Sequence, residues 1–298
     1  MPNSLAIIGA GRVGRALARG LREHGWKIGA VVTRSEPSAR GAVRFIGAGK
    51  PCAVMTRQIL ASPVILIATP DDKIAVVAQE LARIGEEELL GKIVLHTSGA
   101  MDSGVLDALH AHGAAVGSMH PLQSFSGVSV PSLGGRVFTI EGETQAVRVA
   151  RRIARALGGS PVRIAGSKKL LYHAAAAMAA GHVLAVEEAA TQLLLSLGMK
   201  RSEAVRALLP LTRQVLENFE TLGPRAAWTG PLSRGDFQVV LAHLDALKDS
   251  PKEFAQAYEA VNYLAASVLA KDPAGMFAEL AKSSVAEKPR AKVIGGNA

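Results

Sequence analysis

The sequence predicts an α/β protein, with a doubly wound parallel sheet in the N-terminal half followed by an all-helical C-terminal region. Three observations predict it. Short apolar runs alternate with helical patterns up to about residue 165. Beyond that point the strand signals stop and only helical patterns follow. The 298 residues exceed the usual length of one domain. We therefore predict a sheet domain at 1–165, a helical domain at 166–285 and a disordered tail at 286–298.

The strand candidates are short apolar runs, as parallel strands buried on both faces should be. They lie at 5–9, 28–32, 64–68, 93–96, 115–118, 137–140 and 162–164. A helix follows the first run and ends at Gly25, and further helical patterns cover 74–84, 103–112 and 144–157. The C-terminal helices are predicted at 168–197, at 202–222 with Ser202 as N-cap, and at 236–247, 251–269 and 273–281.

Composition excludes several classes of protein. Hydrophobic residues make up 49% and charged residues 20%, which is typical of a soluble globular chain. The net charge of +9 is scattered rather than clustered, so nucleic-acid binding is not favoured. The apolar run 174–186 is too short to span a membrane and is interpreted as a buried helix. Because Cys52 is the single cysteine and no secretory leader is evident, we expect a cytoplasmic protein.

A glycine motif marks the first strand–helix turn. Gly9, Gly11 and Gly14 spell G-x-G-x-x-G directly after a strand and before a helix. The first glycine allows the tight turn, the second lets a pyrophosphate approach the backbone, and the third lets helix and strand pack closely. Arg12 and Val13 complete the motif, and Arg12 is expected either near the pyrophosphate or on an exposed face. The position predicts a Rossmann-type dinucleotide-binding domain.

The end of the second strand indicates which dinucleotide is bound. NAD enzymes usually carry an acid there, which bonds the ribose 2′-hydroxyl. This chain has Thr33, Arg34 and Ser35 instead. A guanidinium with neighbouring hydroxyls favours a 2′-phosphate, which a carboxylate would repel. The prediction is NADP(H), with an exposed loop arginine as the alternative.

Polar residues follow the next strands, where ligands bind in such sheets. Thr69, Pro70 and Ser98 are expected to border the cofactor, while Asp71 is either a helix N-cap or a site residue. His96 and His120 end two further strands and predict a polar pocket with catalytic potential. Contacts to the substrate are assigned to Gln123 and Ser124.

The long helix that follows begins with basic residues. Lys169 and His173 are four residues apart and therefore share a helix face. A lysine in a cleft can act as general acid or base if burial lowers its pKa. The alternative is a solvated helix entrance. Arg234 lies in a turn-rich loop and is either a substrate contact or an ordinary surface arginine. No metal site is predicted.

Taken together, these blocks resemble an uncharacterised bacterial family that joins a Rossmann-like NADP-binding domain to a helical domain of unknown function. Its members are often labelled as coenzyme-deazaflavin-dependent NADP oxidoreductases. The matching pieces run in order through most of the chain. They are GAGRVG (9–14), TPDD (69–72), HTSGA (96–100), GSMHPLQSFS (117–126), KLLYHAAA (169–176) and GPLSRGD (230–236).

The family is similar to the group of 6-phosphogluconate dehydrogenases, β-hydroxyacid dehydrogenases and pyrroline-carboxylate reductases. In the β-hydroxyacid dehydrogenases a catalytic Lys is followed four residues later by Asn. Lys169 matches that Lys, whereas His173 replaces the Asn, and Ala180 and Gly181 stand where family members carry Ser-Asn. The resemblance also implies a homodimer built through the helical domain, with the Arg234 loop able to reach the neighbouring site.

The leading hypothesis is an NADP(H)-dependent oxidoreductase that moves a hydride to or from a small, anionic substrate. Its catalytic residues would be Lys169, His173, His96 and His120. The anionic preference is inferred from the basic groups expected in the cleft. The alternative is a non-catalytic NADP(H)-binding redox sensor or scaffold, which the replacement by His173 supports. Substrate identity, reaction direction and use of deazaflavin are not encoded in any motif.

Overall fold

The computed structural model describes residues 3–127 and 131–286, with side chains up to residue 281. The tail predicted at 286–298 lies outside the described residues except for its first member. The chain divides into two compact units, Met1–Gly181 and His182–Ala298. This division falls beyond the boundary expected near residue 165, because the first helix after the sheet is tied to it by hydrogen bonds from Lys169 to Ser98 and Ser118.

The first unit is built on one eight-stranded sheet of order β3-β2-β1-β4-β5-β6-β7-β8. All neighbouring pairs are parallel except β6 and β7. The α/β fold class is thus confirmed, with a mostly parallel sheet. Its strands are β1 (Ser4–Ile8), β2 (Lys27–Val32), β3 (Lys50–Cys52), β4 (Val64–Ile67), β5 (Ile93–His96), β6 (Ala115–Pro121), β7 (Val137–Gly142) and β8 (Ser160–Arg163).

Helices cover both faces of this sheet. They are α1 (Arg12–Glu23), α2 (Glu36–Ile46), α3 (Asp71–Gly85), α4 (Asp107–His110), α5 (Thr144–Ala156) and α6 (Lys169–Ala177). Alternate residues of a strand point to opposite faces. In β1, Leu5 and Ile7 therefore enter one apolar cluster with α1 and α5, while Ala6 and Ile8 enter another with α3. Burial on both faces explains why the strands read as continuous apolar runs.

The two elements that follow the second strand, α2 and β3, were not predicted from the sequence. Helix α2 carries few large apolar residues, and its start is set by Ser35, whose hydroxyl accepts a hydrogen bond from the Ser38 amide. Strand β3 has only three residues, one of them Pro51, and lies at the sheet edge where proline is tolerated. Both elements are held by the sheet rather than by their own sequence pattern.

Strands β6 and β7 run antiparallel, which departs from a purely parallel sheet. A parallel return needs a crossover, usually a helix, and the described residues between these strands contain none. The antiparallel register sets Ser118 directly opposite Glu141 and His120 opposite Thr139. Residues two apart share a face, so all four side chains lie on the same side of the sheet.

The second unit is helical throughout its described part. Its helices are α7 (Val183–Ser196), α8 (Arg201–Leu222), α9 (Pro224–Ala227), α10 (Pro231–Arg234), α11 (Phe237–Ala246), α12 (Lys252–Leu269) and α13 (Pro273–Ala286). Ser202 is not the N-cap of α8. The helix begins one residue earlier, and the Lys200 amide donates to the Glu203 carboxylate at 2.9 Å. The core of this unit is a small cluster of Leu232, Val240, Ala266 and Leu280.

The helix expected at 168–197 forms as α6, a π-helical turn (Met178–His182) and α7. The prediction that its apolar run is buried is wrong for the single chain, since Met178, Leu184 and Val186 are exposed. Gly166–Ser196 is long and apolar enough to cross a membrane by length and composition, a test that core helices of soluble proteins also pass. It contains Lys169, which is buried against the sheet.

Candidate active site

The glycine motif forms a tight turn between β1 and α1. Gly9 has a φ of +90°, and a Cβ at this position would lie 2.7 Å from the backbone of Ala68. A Cβ at Gly14 would lie 2.3 Å from the Gly9 carbonyl oxygen, so α1 packs directly on the turn. Around Gly11 a Cβ would meet no atom within 4 Å. The turn is thus packed tightly against the protein at Gly9 and Gly14 and open at Gly11, in front of the N-terminus of α1. We call this opening the mouth of α1.

The open mouth has the features of an anion site. Gly11 is the N-cap of α1, it supplies no side-chain cap, and the first turn of the helix carries no acid. Its amides and the positive end of the helix dipole are therefore free to face a phosphate. Arg12 is exposed beside this mouth, near Gly127. Val13 packs against the apolar core, which leaves only its backbone to contact a ligand.

The loop after β2 carries Arg34 between Thr33 and Ser35. The Thr33 hydroxyl donates to the Ser35 carbonyl oxygen at 2.9 Å, and the Ser35 hydroxyl donates to Ser38 while capping α2. These bonds hold the backbone of the loop, while the Arg34 side chain is exposed. The exposed Arg34 guanidinium thus stands at the strand end, where its donors suit a phosphate, while the two hydroxyls use their protons within the loop.

The loops after β4 and β5 are joined by a hydrogen bond. The Ser98 hydroxyl donates to the Asp71 carboxylate at 2.8 Å and accepts from the amides of Ala100 and Met101. Asp71 is therefore not the N-cap of α3; Pro70 occupies that position. With its hydroxyl fully engaged, Ser98 shapes the loop, and its expected cofactor contact does not fit this geometry. The buried Thr69 hydroxyl has no partner among the described residues.

His96 is wholly buried at the end of β5. Its Nε2 lies 3.0 Å from the Asp102 carbonyl oxygen, and its Nδ1 lies 3.2 Å from the Ser98 amide nitrogen, from which it accepts. Burial, with the nearby Lys169 charge, lowers the pKa of His96 to about 3. The ring is therefore neutral, and both nitrogens are used internally. The predicted catalytic role of His96 is not supported, because a group without free donor or acceptor cannot exchange a proton with substrate.

Lys169 is also buried, with 1% of its surface exposed. Its Nζ donates to the Ser98 carbonyl oxygen at 2.7 Å and to the Ser118 hydroxyl at 2.6 Å. Burial lowers the pKa of Lys169 to about 8, although Glu141, Asp102 and Asp71 act in the opposite direction. An ammonium has three donors, so these two bonds leave one N–H for another acceptor. The alternative of a solvated helix entrance does not hold for this residue.

One turn further along α6, Tyr172 and His173 face His120. The spacing explains the meeting, since residues at i, i+3 and i+4 of a helix share a face. The Tyr172 hydroxyl lies 2.8 Å from His120 Nδ1. The His120 and His173 rings stand edge to face with centroids 5.7 Å apart. Thus one face of α6 lies over the polar face of β6 and β7.

This group of three side chains is less buried than Lys169. Burial, then the charges of His173 and Lys169, lowers the pKa of His120 to about 4. Burial raises the pKa of Tyr172. His173 Nδ1 is buried without a partner among the described residues, and both histidine rings border Gly99, where a Cβ would come within 3.0 Å of each. In this pair a neutral imidazole can accept a hydrogen bond from the phenol or, in its other tautomer, donate one to the phenol oxygen.

The residues assigned to the substrate are less clearly placed. Gln123 uses its side chain within its own loop, donating to the Ser132 carbonyl oxygen and accepting from the Ser124 amide. Ser124 is exposed. Arg234 belongs to the second unit, where its guanidinium pairs with Asp236 at 3.0 Å on the surface. Neither Gln123 nor Ser124 forms a hydrogen bond with the Tyr172 group in the described structure.

Two side chains of this site were not singled out as catalytic from the sequence. Tyr172 enters the sequence prediction only as part of the KLLYHAAA motif (169–176). Glu141 is not among the site residues predicted from the sequence. It is only 6% exposed, and it lies on β7, a mostly apolar strand with the sequence VFTIEG. A carboxylate at an alternate position of a buried strand was the available signal, because unpaired acids are rarely buried.

Family models match this chain in two parts. A Rossmann-like domain matches residues 2–121, and the domain of unknown function DUF2520 matches residues 136–264. The second match begins at the start of β7 and therefore covers the end of the sheet together with the helices. No curated protein matches the chain in sequence.

Solved structures share the fold over most of the chain. A Bacteroides fragilis protein described as an NADP oxidoreductase is 24% identical, with a TM-score of 0.72 over 88% of this chain and 96% of its own. A Thermotoga maritima protein is 24% identical, with a TM-score of 0.65 over 96% of this chain and 100% of its own. A reductive aminase from Aspergillus terreus, in complex with NADPH and ethyl levulinate, is 17% identical, with a TM-score of 0.68 over 93% of this chain and 99% of its own.

Proposed function

We propose that the chain is an NADP(H)-dependent oxidoreductase. The observation that carries the proposal is the open mouth of α1 at Gly11 beside the exposed guanidinium of Arg34 at the end of β2. The mouth suits a pyrophosphate, and the guanidinium suits the 2′-phosphate that distinguishes NADP from NAD. The fold likeness to an enzyme in complex with NADPH adds support. The resemblance to the NADP-binding bacterial family points the same way.

The bound cofactor would supply a hydride to a C=O or C=N bond, and the residues of the chain would supply the proton. Tyr172 is placed to donate it, since its hydroxyl is bonded to His120 Nδ1 and both groups are only partly buried. The neutral His120, as the tautomer protonated at Nδ1, can donate a hydrogen bond to the phenolate oxygen until water returns the proton. Lys169, held between Ser98 and Ser118, ties the loop after β5 to strand β6, and these two segments frame the pair. General acid catalysis of this kind contributes typically about 10²–10⁴ in rate.

The substrate that we propose is an uncharged carbonyl compound or an imine. The anionic substrate expected from the sequence loses its support, because that expectation counted His96, His120 and Lys169 as a cluster of basic groups. The low pKa values of about 3 and about 4 leave the two histidines uncharged at neutral pH. The charge of Lys169 is offset by the nearby carboxylates of Glu141 and Asp102.

We also propose that two copies associate through the second unit. Helix α8 exposes Leu211, Val215, Phe219 and Leu222, which follow one another at helical spacing. On α7, Val183, Leu184 and Val186 are exposed as well. An apolar surface of this extent on a unit with so small a core is typical of an interface. A reducing cytoplasm, where a lone Cys52 remains free, suits such a protein.

Isothermal calorimetry of the purified chain with NADPH and with NADH tests the cofactor proposal. We expect NADPH to bind more tightly. Arg34→Ala should weaken NADPH at least about tenfold, the worth of one charge-assisted hydrogen bond, and leave NADH unchanged. Arg40→Ala, which removes another exposed arginine of the same region, is the matched control. Tighter binding of NADH, or no binding of either nucleotide, would refute the proposal.

Turnover separates the enzyme from a sensor. The chain is mixed with NADPH and a panel of aldehydes, keto acids and imines, and the loss of nicotinamide absorbance is followed. We expect consumption with uncharged carbonyl compounds or imines. Tight NADPH binding without consumption across the panel would instead favour the non-catalytic sensor, for which the unusual His173 is the argument.

A further inference from the structure

A buried carboxylate that the proposed mechanism does not use lies on β7. Glu141 is 6% exposed. Its Oε2 accepts a hydrogen bond from the Ser103 hydroxyl at 3.0 Å, and its Oε1 is buried without a hydrogen-bond partner among the described residues. A buried carboxylate with an unsatisfied oxygen is costly unless a positive charge compensates it.

The sheet register brings this carboxylate close to Lys169. Glu141 lies directly opposite Ser118 across the antiparallel pair, and the two side chains share a face. The Ser118 hydroxyl accepts the hydrogen bond of Lys169 Nζ at 2.6 Å. The ammonium therefore stands over the cross-strand pair that contains Glu141.

The charges around Lys169 come from four elements or their loops. Glu141 on β7, Asp102 in the loop after β5 and Asp71 on α3 favour its charged form, and Glu141 has the largest effect of the three. His96 on β5 and His120 on β6 also face it, and both are neutral. Glu141 is consequently the main counter-charge of a lysine whose burial favours the neutral amine.

We propose that Glu141 is a positioning residue that keeps the Lys169 ammonium charged, so that it can hold Ser98 and Ser118 and present its third N–H. A neutral amine has only two N–H donors, and both would be consumed by Ser98 and Ser118. The charge supplies the third donor beside the Tyr172 group. The catalytic meaning of this role depends on the proposed oxidoreductase function, whereas the charge relation between the two residues does not.

The test is a pH titration of Lys169 by NMR in the full chain, without nucleotide or substrate. Lysines are labelled with ¹³C at Cε, and Lys169→Arg identifies the signal by its loss. We expect a wild-type midpoint of about 8. In Glu141→Gln the midpoint should fall by about one pH unit or more, a tenfold change in the ionisation constant, because an opposing charge is removed.

Two further variants make the result specific. Glu143→Gln is the matched control, since Glu143 lines the same surface cavity as Glu141 but bonds the Val116 amide and His110. It should leave the midpoint in place. Glu141→Asp keeps the charge and should stay within about half a unit of wild type, and it preserves a readout if Glu141→Gln does not fold. An unchanged midpoint in Glu141→Gln, or a drop in Glu141→Asp equal to the full loss of the charge, would overturn the proposal.

Activity gives an independent readout. If the chain consumes NADPH, the alkaline limb of kcat against pH should move to lower pH in Glu141→Gln, while KM changes little. A titration that moves without any turnover would sustain the role of Glu141 and refute the oxidoreductase function. Turnover with an unmoved titration would sustain the function and refute the role of Glu141.

Discussion

Tyr172 and His120 are 52 residues apart in the chain, yet they share a hydrogen bond of 2.8 Å. Neither residue type is unusual where it stands in the sequence. What gives them chemical meaning is partial burial, which holds the imidazole neutral and keeps the phenol protonated. His96 shows the reverse case. Its position at a strand end predicted a catalytic role, but both of its ring nitrogens are engaged in hydrogen bonds that support the loop.

At this scale we predict that Tyr172→Phe lowers kcat about 10²- to 10⁴-fold and leaves the NADPH dissociation constant unchanged, because only the proton donor is lost. The measurement is steady-state NADPH oxidation together with calorimetry. Tyr258→Phe is the control, since Tyr258 forms the same kind of bond with His243, 2.7 Å long, in the second unit. Equal activity of Tyr172→Phe and wild type would remove Tyr172 from the mechanism.

Among the helices and strands, those with a long apolar pattern are the ones that the sequence predicts well. The strands with four or more apolar residues and the helix after the glycine motif were predicted to within a few residues. Helix α2 and strand β3 were missed, since an edge strand of three residues carries too little pattern to be recognised. The antiparallel step from β6 to β7 was also missed, and it is this step that aligns Ser118 with Glu141.

The turn before α1 allows binding to be separated from folding. Gly11→Ala adds a methyl where no atom lies within 4 Å, so stability should fall by less than about 1 kcal/mol, the preference of an N-cap for Gly over Ala, while NADPH binding weakens at least about tenfold. Gly14→Ala adds one that meets the Gly9 carbonyl oxygen at 2.3 Å, and should lower the free energy of unfolding by about 1–3 kcal/mol. Urea unfolding and calorimetry measure the two effects. A loss of stability in Gly11→Ala as large as in Gly14→Ala, or none in Gly14→Ala, would contradict the packing described.

For the whole molecule, buried histidines make stability depend on pH. The pKa values of His96 and His120 fall from 6.5 to about 3 and about 4 on folding. Below pH 6.5 the unfolded chain therefore binds more protons, and stability decreases as the pH falls from 6.5 towards 4. The expected slope is up to about 1.4 kcal/mol per pH unit for each histidine.

Urea unfolding at a series of pH values measures that slope. His96→Gln keeps a donor for the Asp102 carbonyl but cannot take up a proton, so its stability should vary less between pH 6.5 and 4. His112→Gln changes an exposed histidine and should follow wild type. A slope in His96→Gln as steep as in wild type would show that His96 already titrates normally in the folded protein.

The proposed dimer is also a property of the whole molecule. Light scattering should give a mass of twice 31.0 kDa for wild type and 31.0 kDa for Phe219→Asp, which places a charge in the exposed apolar face of α8. Val54→Asp, at an exposed apolar residue of the first unit, should remain dimeric. A wild-type mass of 31.0 kDa at micromolar concentration would refute the proposed dimer.

The α/β class, the positions of the main strands along the chain and the glycine turn can all be predicted from the amino-acid sequence. These follow from local chemistry, namely apolar periodicity and the conformations that glycine allows. Which polar residues meet depends instead on how the chain packs. The pairing of β6 with β7 and the packing of α6 on their polar face bring Lys169, Glu141 and Tyr172 together, and desolvation there sets their charges. Long-range register and burial are properties of the folded chain, and no single segment encodes them.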